Sequence, residues 1–214
     1  MSKYYRHYKN KPYKYLGEVR HSETLDELVL YETRYPNELG KLWVRPKKMF
    51  FENINVDGKV KPRFEKIEVD YKATNSISNK DQENILSLLN LVFGGYSKEK
   101  FESTLKNHNE ILLVTAHIEN NFVGFKLGYA YRMDRFYSWL GAVHPDWRGL
   151  GIAQELMDRQ HQWCREKNFE VIETRTGNKW REMLLLNIKN GFHVVGTYTN
   201  KKGEPKIILE KRIK

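Results

Sequence analysis

The amino-terminal third of the chain alternates short apolar runs with turn-forming residues. The apolar runs lie at Tyr13–Leu16, Glu27–Tyr31 and Leu42–Arg45, and the segments between them are rich in Ser, Thr, Pro, Asn and Gly. The dipeptide Asp57-Gly58 is a strong signal for a tight hairpin turn. This pattern predicts a small β-rich domain over residues 1–66.

Beyond residue 66 the pattern changes to one in which strands and helices alternate. Ser78 and Asp81 have the spacing of a helix-capping pair, and Gly191 predicts the end of the last helix. We expect helices after Ser78, Pro145 and Asn178 and at Lys98–Lys106. We expect strands at Lys66–Thr74, Ile111–Ile118, Phe122–Tyr131, Tyr137–Val143, Val171–Thr176, Phe192–Thr197 and Lys206–Lys211. This order predicts an α/β (α+β) domain over residues 67–214, with helices on both faces of a mixed sheet.

The chain is basic, with a formal net charge of +10. The excess is densest in residues 1–67, which hold 15 Lys and Arg against 9 Asp and Glu. A basic surface attracts nucleic acids, phosphorylated cofactors and acidic partners, although it is equally typical of a solvated surface without a dedicated site.

The distribution of cysteine and apolar residues indicates a cytoplasmic protein. Cys164 is the one cysteine, so an intramolecular disulfide is excluded. No apolar run reaches membrane-spanning length, and no apolar signal core follows the basic amino terminus. We expect no membrane partner, and the sequence leaves the oligomeric state open, a homodimer included.

A turn with two glycines follows a predicted strand and opens a predicted helix. The first amides of a helix have no partner within it, and the helix dipole is positive at that end, so such a turn attracts anions. Gly149 and Gly151 let a phosphate approach the main chain. The Walker pattern is absent, and Ala153 stands where a dinucleotide fingerprint needs glycine. The turn predicts either a phosphate site or a plain strand-to-helix connection.

The stretch Val-His-Pro-Asp-Trp-Arg-Gly-Leu-Gly-Ile-Ala, which runs from Val143 to Ala153, resembles the acetyl-CoA signature of the GNAT family of N-acetyltransferases. That signature reads Arg/Gln-x-x-Gly-x-Gly/Ala. The predicted element order and Asn190-Gly191-Phe192 are also similar to that family. The resemblance covers about residues 66–214. It implies a mostly antiparallel sheet, acetyl-CoA as cosubstrate and an amine of a small molecule or a protein as the acceptor.

The resemblance also implies where acetyl-CoA binds. In this family the strand before the signature separates from the next strand, and the pantetheine arm lies in the gap. The matching positions here are Gly141, Ala142 and Val143. Asn178 is expected either to contact acetyl-CoA or to serve only as a helix cap. The pyrophosphate is expected at the amides of Arg148, Gly149, Leu150, Gly151, Ile152 and Ala153.

Acetyl transfer to an alkyl amine needs a base, because the amine is protonated at neutral pH. Glu173, or water held near Ser138, is the candidate base, and Tyr137 or Tyr131 is the candidate acid for the leaving thiolate. The alternatives are a surface carboxylate and tyrosines that only pack within the sheet. Many family members carry a tyrosine as that acid, four residues before the Gly of their Gly-Phe pair, where this chain has Asn187.

Three further residues are interpreted as structural. Cys164 lies in the middle of a predicted helix and is expected to be inert. His161 and Cys164 are spaced like two metal ligands, but two are too few, so we expect no metal. His144 is interpreted as a turn residue before Pro145.

Residues 4–66 resemble a small bacterial domain family of unknown function. The motifs that carry this resemblance are Tyr5-Arg6-His7-Tyr8-Lys9 and Trp43-Val44-Arg45-Pro46. The Arg, His and Tyr side chains could bind a nucleic acid or an acidic peptide. Alternatively, the aromatic residues form the core of a small barrel, or the domain presents the acceptor to the transferase.

The sequence therefore predicts an acetyl-CoA-dependent N-acetyltransferase domain preceded by a small β-rich domain. Two alternatives from other functional classes remain. One is an acyl-CoA sensor without turnover, and the other is a nucleic-acid-binding protein directed by the basic amino-terminal domain, which is less favoured.

Overall fold

The computed structural model describes residues 4–213, which divide into two compact units. The first unit contains residues 4–70 together with Ile118–Asn120 and Trp147–Gly151, and the second contains the remaining described residues. The domain boundary near residue 66 stays a prediction.

The elements of the first unit are mostly short strands. They are β1 (Tyr4–His7), β2 (Lys11–Arg20), β3 (Glu27–Thr33), β4 (Leu42–Pro46), α1 (Lys47–Phe51), β5 (Asn53–Val56), β6 (Lys59–Pro62) and β7 (Phe64–Lys66). The strands of its main sheet lie in the order β4-β3-β2-β1-β7, and β5 pairs with β6 across the predicted Asp57-Gly58 turn. Because no pairing joins β4 to β7 in the described chain, this sheet is open and the alternative of a small barrel is wrong.

Aromatic side chains form the core of the first unit. Phe50 is fully buried, and its ring stacks on Phe64 with centroids 4.1 Å apart. Tyr31 packs against both rings. The short helix α1 brings Phe50 into this core, and neither a cap nor a long apolar period marks that helix in the sequence.

The segment Trp147–Gly151 belongs to the first unit through contacts with β1 and the residues after β3. The guanidinium of Arg6 lies over the ring of Trp147, 3.7 Å from its centroid. Arg34 Nε donates a hydrogen bond of 2.7 Å to the carbonyl oxygen of Gly149.

The second unit contains one seven-stranded sheet and four helices among its described residues. Its elements are β8 (Asp70–Thr74), α2 (Asn79–Phe93), α3 (Lys98–Lys106), β9 (Ile111–Ile118), β10 (Asn121–Arg132), β11 (Arg135–Val143), α4 (Ile152–Glu166), β12 (Val171–Thr176), α5 (Arg181–Lys189), β13 (His193–Thr199) and β14 (Pro205–Arg212). The strand order is β13-β14-β12-β11-β10-β9-β8. β11 and β12 run parallel, whereas the pairs β10–β11, β12–β14 and β13–β14 are antiparallel.

Helices cover both faces of this sheet. Phe125 of β10 packs in an apolar cluster with Ile85 of α2 and Phe101 of α3. Its neighbour Gly124 faces the other way, because successive residues of a strand point to opposite faces, and a side chain there would meet Leu156 of α4 at 3.4 Å. The expected fold class, a mixed and mostly antiparallel sheet between helices, is confirmed.

Several local predictions also agree with the structure. Ser78 and Asp81 form a reciprocal capping box at the start of α2, and α3 has the predicted bounds. The predicted strand Lys66–Thr74 is wrong in one respect, since residues 67–69 interrupt it and divide β7 from β8. No helix among residues 4–213 is both long and apolar enough to span a membrane.

Candidate active site

The sheet of the second unit opens between its two parallel strands. β11 and β12 are paired at Arg135 with Val171 and at Phe136 with Ile172, and the last pair is Tyr137 with Glu173. One further contact follows, in which Thr174 Oγ1 donates 2.9 Å to the carbonyl oxygen of Ser138. Beyond it, no β11–β12 strand pair is described for residues 139–142. Main-chain groups on such an edge need other hydrogen-bonding partners, so the opening is a candidate binding edge.

A β-bulge adjoins this opening. Leu127 of β10 lies opposite Leu140, but the next residue, Gly128, lies opposite Ser138, so Trp139 is an extra residue in β11. Bulges rotate the local main chain and are common beside active sites. The bulge thus lies between the last β11–β12 pair and the residues predicted to contact pantetheine.

The turn with two glycines connects β11 to α4 as predicted. Gly149 has φ of +80° and Gly151 has φ of +72°, a region that favours glycine, and α4 begins immediately afterwards. Leu150 and Ile152 are buried and anchor the turn. The start of a 15-residue helix therefore follows a backbone that glycine adopts most easily. This geometry suits an anion, although its role in holding pyrophosphate stays a prediction.

A cavity of about 130 Å³ lies on the α2 and α3 side of the sheet, at the level of the last β11–β12 pair. The side chains that line it come from β10, β11 and β12 and from the loop after α3. The lining residues are His108, Tyr129, Tyr131, Tyr137, Glu173 and Arg175. Both predicted catalytic residues, Tyr137 and Glu173, are thus together in one cavity.

Glu173 is a buried carboxylate with two donors. Tyr131 Oη donates 2.8 Å to one carboxylate oxygen, and Arg175 Nε donates 2.9 Å to the other. The residue is 7% exposed, so the alternative of a surface carboxylate is wrong. Arg175 balances the carboxylate charge, as a buried charge requires.

The tyrosines of the cavity keep their protons at neutral pH. Burial raises the pKa of Tyr137 above its usual range, and the nearby Arg175 guanidinium opposes this shift only in part. Burial and the hydrogen bond to Glu173 likewise raise the pKa of Tyr131. Both hydroxyls are therefore hydrogen-bond donors and not bases.

Sequence reasoning missed His108, Tyr129 and Arg175. Arg175 could have been found, because Glu173 and Arg175 are two residues apart on a strand and so share one face. His108 could not, since its ring lies against Tyr129, with centroids 3.7 Å apart, only through the tertiary fold.

Asn178 is not a cap for α5. It begins a one-turn 3-10 helix, Asn178–Trp180, and α5 starts later, at Arg181, after Trp180 at its N-cap position. The interpretation of Asn178 as a helix cap is therefore wrong, because the 3-10 turn Asn178–Trp180 precedes α5 and puts Trp180 at the N-cap position. A contact between Asn178 and acetyl-CoA stays a prediction.

Two of the residues interpreted as structural, Cys164 and His144, behave accordingly. Cys164 is buried, and burial raises the pKa of its thiol far above the usual value, which disfavours the reactive thiolate. His144 Nδ1 accepts a 3.3 Å hydrogen bond from the amide of Asp146, as a turn residue does. Among residues 4–213, no three side chains of His, Cys, Asp or Glu cluster as metal ligands.

Comparison with known proteins supports this architecture. The chain is similar to Ard1 from Thermoplasma volcanium, with a TM-score of 0.58 at 18% identity over 66% of this chain and 97% of the other. It is similar to the ribosomal-protein-S18-alanine N-acetyltransferase from Escherichia coli, with a TM-score of 0.58 at 16% identity over 67% and 94%. A GNAT family acetyltransferase from Elizabethkingia anophelis with acetyl-CoA bound gives 0.54 at 19% identity over 68% and 97%. These likenesses show the shared fold.

The families follow from sequence models. Residues 82–181 match the acetyltransferase (GNAT) family, and residues 3–66 match DUF1653, a protein family of unknown function. No curated protein matches the chain. Both resemblances stated from the sequence are confirmed. The chain is accordingly an acetyltransferase that joins a domain of the GNAT family to an amino-terminal domain of the DUF1653 family.

Proposed function

We propose that this enzyme moves the acetyl group of acetyl-CoA to a primary amine bound in the 130 Å³ cavity beside the sheet opening. The observation that carries this proposal is the position of Glu173. It is a buried carboxylate at the last β11–β12 pair, and it therefore lies both at the end of the opening and in the wall of the cavity.

The opening and the adjoining turn are proposed to hold acetyl-CoA. The β12-facing edge of Gly141, Ala142 and Val143 supplies main-chain partners for the amides of the pantetheine arm. The amides from Arg148 to Ala153 bind the pyrophosphate, supported by the positive end of the α4 dipole. The positive φ angles of Gly149 and Gly151 support a tight turn directly before α4. The space that a Cβ would fill there lies against the carbonyl oxygen of Arg34 and Tyr4 Oη, so the proposal assigns the amides, and not that space, to the pyrophosphate.

The cavity has the chemistry of an ammonium site. Three tyrosine rings, Tyr129, Tyr131 and Tyr137, lie close together, with centroids 5.5 to 6.3 Å apart in the two adjacent pairs. Aromatic faces attract a cation, and the Glu173 carboxylate beside them adds to this attraction as far as its ion pair with Arg175 allows. The cavity, of about 130 Å³, suits the amine end of an acceptor, on a small molecule or on a protein.

Proton transfer from the acceptor is assigned to Glu173, with Tyr137 and Tyr131 beside it. Glu173 takes the proton of the acceptor ammonium, which frees the nitrogen lone pair to attack the thioester carbonyl carbon. Tyr137 stays protonated, because burial raises its pKa, and it donates a hydrogen bond within the cavity. Tyr131 orients Glu173 through their 2.8 Å hydrogen bond.

The test is an acceptor screen. The protein is incubated with acetyl-CoA and a panel of primary amines that includes polyamines, aminoglycosides, amino acids and lysine-containing peptides, and free thiol is measured. The proposal predicts amine-dependent thiol release. Acetyl-CoA binding without release on any acceptor would instead favour a sensor. Salt-dependent retention on DNA or RNA, without release, would favour the nucleic-acid alternative.

A further inference from the structure

A lysine lies in the core of the second unit on the face opposite the cavity. Lys126 of β10 is only 7% exposed, although lysine is almost never buried without a partner or a function. Burying an unneutralised ammonium is expensive in free energy. On the α4 face this charge lies near His161 and Cys164, which are buried and not acidic, so packing alone does not explain it.

Lys126 reaches across the neighbouring strand towards the opening. It is paired with Gly141 of β11, so both residues face α4. A Cβ at position 141 would lie 3.5 Å from Lys126 Cδ and 3.8 Å from Nζ. The lysine chain therefore lies over the main chain of Gly141, at ordinary van der Waals distance from where a Cβ would be. The ammonium thus lies at the strand that borders the opening.

Other polar atoms on this side of the sheet have no protein partner in the described part of the chain. They are buried and come from β11, α4 and α5. These atoms are Ser138 Oγ, both side-chain polar atoms of Gln160, His161 Nε2 and Asn187 Oδ1. Buried polar atoms are satisfied in native proteins with few exceptions, so a group of unpartnered ones points to a ligand or ordered water.

We propose that Lys126 is the acid that protonates the leaving thiolate of coenzyme A, an inference that rests on the proposed acetyl transfer. The acceptor nitrogen forms a bond to the acetyl carbon, the carbon–sulfur bond breaks, and its electron pair goes to sulfur. Lys126 Nζ gives one proton to that sulfur and regains one from solvent. The protons that the acceptor nitrogen loses pass through Glu173 to solvent, so one proton is released overall.

The acidity of Lys126 fits this task. Burial lowers the pKa of its ammonium to about 8, close to the usual thiol value of about 8.5, which favours proton transfer between the two. Asn187 cannot do the same, because a carboxamide has no acidic proton at neutral pH.

The described titratable groups that interact with Lys126 include no carboxylate that could act as its counterion. On α4, the pKa of His161 is lowered to about 3, chiefly by burial, and the pKa of Cys164 is raised, so both are neutral at pH 7. Arg165 of α4 and Lys211 of β14, which contacts His161 Nδ1 at 3.3 Å, add only positive charge. A developing thiolate is the anion that this environment stabilises.

The test compares Lys126→Met with the wild-type protein in the thiol-release assay. We expect kcat to fall about 100-fold or more, with acetyl-CoA affinity by calorimetry changed less than about threefold. Wild-type kcat should also decline above about pH 8 as Lys126 loses its proton, and the variant should lack this alkaline limb. Lys106→Met, at the exposed end of α3, is the matched control and should resemble the wild type.

Stability separates this role from a structural one. Replacing a buried charge by an apolar side chain of similar length is neutral or stabilising, so Lys126→Met should unfold at the same temperature or higher. A Lys126→Met variant that keeps the wild-type kcat, and whose kcat still declines at alkaline pH, would overturn the inference about Lys126. The proposal of acetyl transfer would then still stand. A wild-type protein that binds acetyl-CoA but releases no thiol would overturn both.

Discussion

Replacing Glu173 by glutamine removes the proposed base while keeping its shape. The carboxylate accepts hydrogen bonds of 2.8 Å from Tyr131 and 2.9 Å from Arg175, and the amide oxygen of glutamine can retain one of them. Loss of a general base lowers kcat by about 10² to 10⁴, which corresponds to roughly 3 to 5 kcal/mol in the barrier.

The same substitution should affect stability much less. The ion pair with Arg175 is partly screened, because the arginine side chain is 43% exposed. Its loss should cost about 1 kcal/mol, or a decrease of roughly 2 to 4 °C in the unfolding temperature. A large effect on rate with a small effect on stability is the signature expected of a catalytic carboxylate.

The assay measures initial rates of thiol release at saturating acetyl-CoA with the best amine from the acceptor screen. Glu182→Gln provides the control, since Glu182 lies on the exposed first turn of α5. A Glu173→Gln enzyme within about threefold of the wild-type kcat would refute the assignment of Glu173 as the base.

Four further substitutions test other parts of the structure. Arg148→Glu should weaken acetyl-CoA binding at least tenfold (about 1.4 kcal/mol) by placing a negative charge beside the pyrophosphate, and unchanged affinity in calorimetry would contradict the site. Gly151→Val should cost about 1–2 kcal/mol in urea unfolding, because φ is +72° there, and no change would argue against that backbone. Phe50→Ala should destabilise the first unit by about 3–5 kcal/mol in the same assay, since the ring is fully buried, and a neutral result would contradict the aromatic core. Burial and Lys211 lower the pKa of His161 to about 3, so the free energy of unfolding should decrease by a few kcal/mol as the pH falls from 6.5 towards 3. His161→Gln should make the free energy of unfolding depend less on pH. An unchanged pH dependence in this variant would assign the effect to other groups.

Local sequence signals predicted much of the second unit. The bounds of α3, β9 and β12 agree with those expected, because capping residues, turn residues and apolar periodicity act over a few positions. The helix α1 was missed, since five residues are too few for a helical period and Pro46 precedes it without a side-chain cap. The burial of Phe50 in the tertiary core, and not a local sequence signal, therefore determines the helix α1.

The candidate site was predicted only in part, for a physical reason. Residue patterns predicted Glu173, Tyr137 and the turn with two glycines as site candidates. That β12 leaves β11 after a single short run of pairs was expected only from the family resemblance, because no local pattern shows it. That divergence depends on the pairing of β12 with β14 over Val171–Thr176, a long-range contact without a local signature. Lys126 carried a local signal that was overlooked, since it is a lone charge in the apolar run from Phe122 to Leu127.

A crystal structure of the protein with coenzyme A tests the central claim most directly. The account predicts that the pantetheine arm lies along Gly141, Ala142 and Val143, with the pyrophosphate at the amides before α4 and the thiol within reach of Lys126 Nζ. Nucleotide density elsewhere on the protein, with β11 and β12 bridged by another segment of the chain, would contradict it.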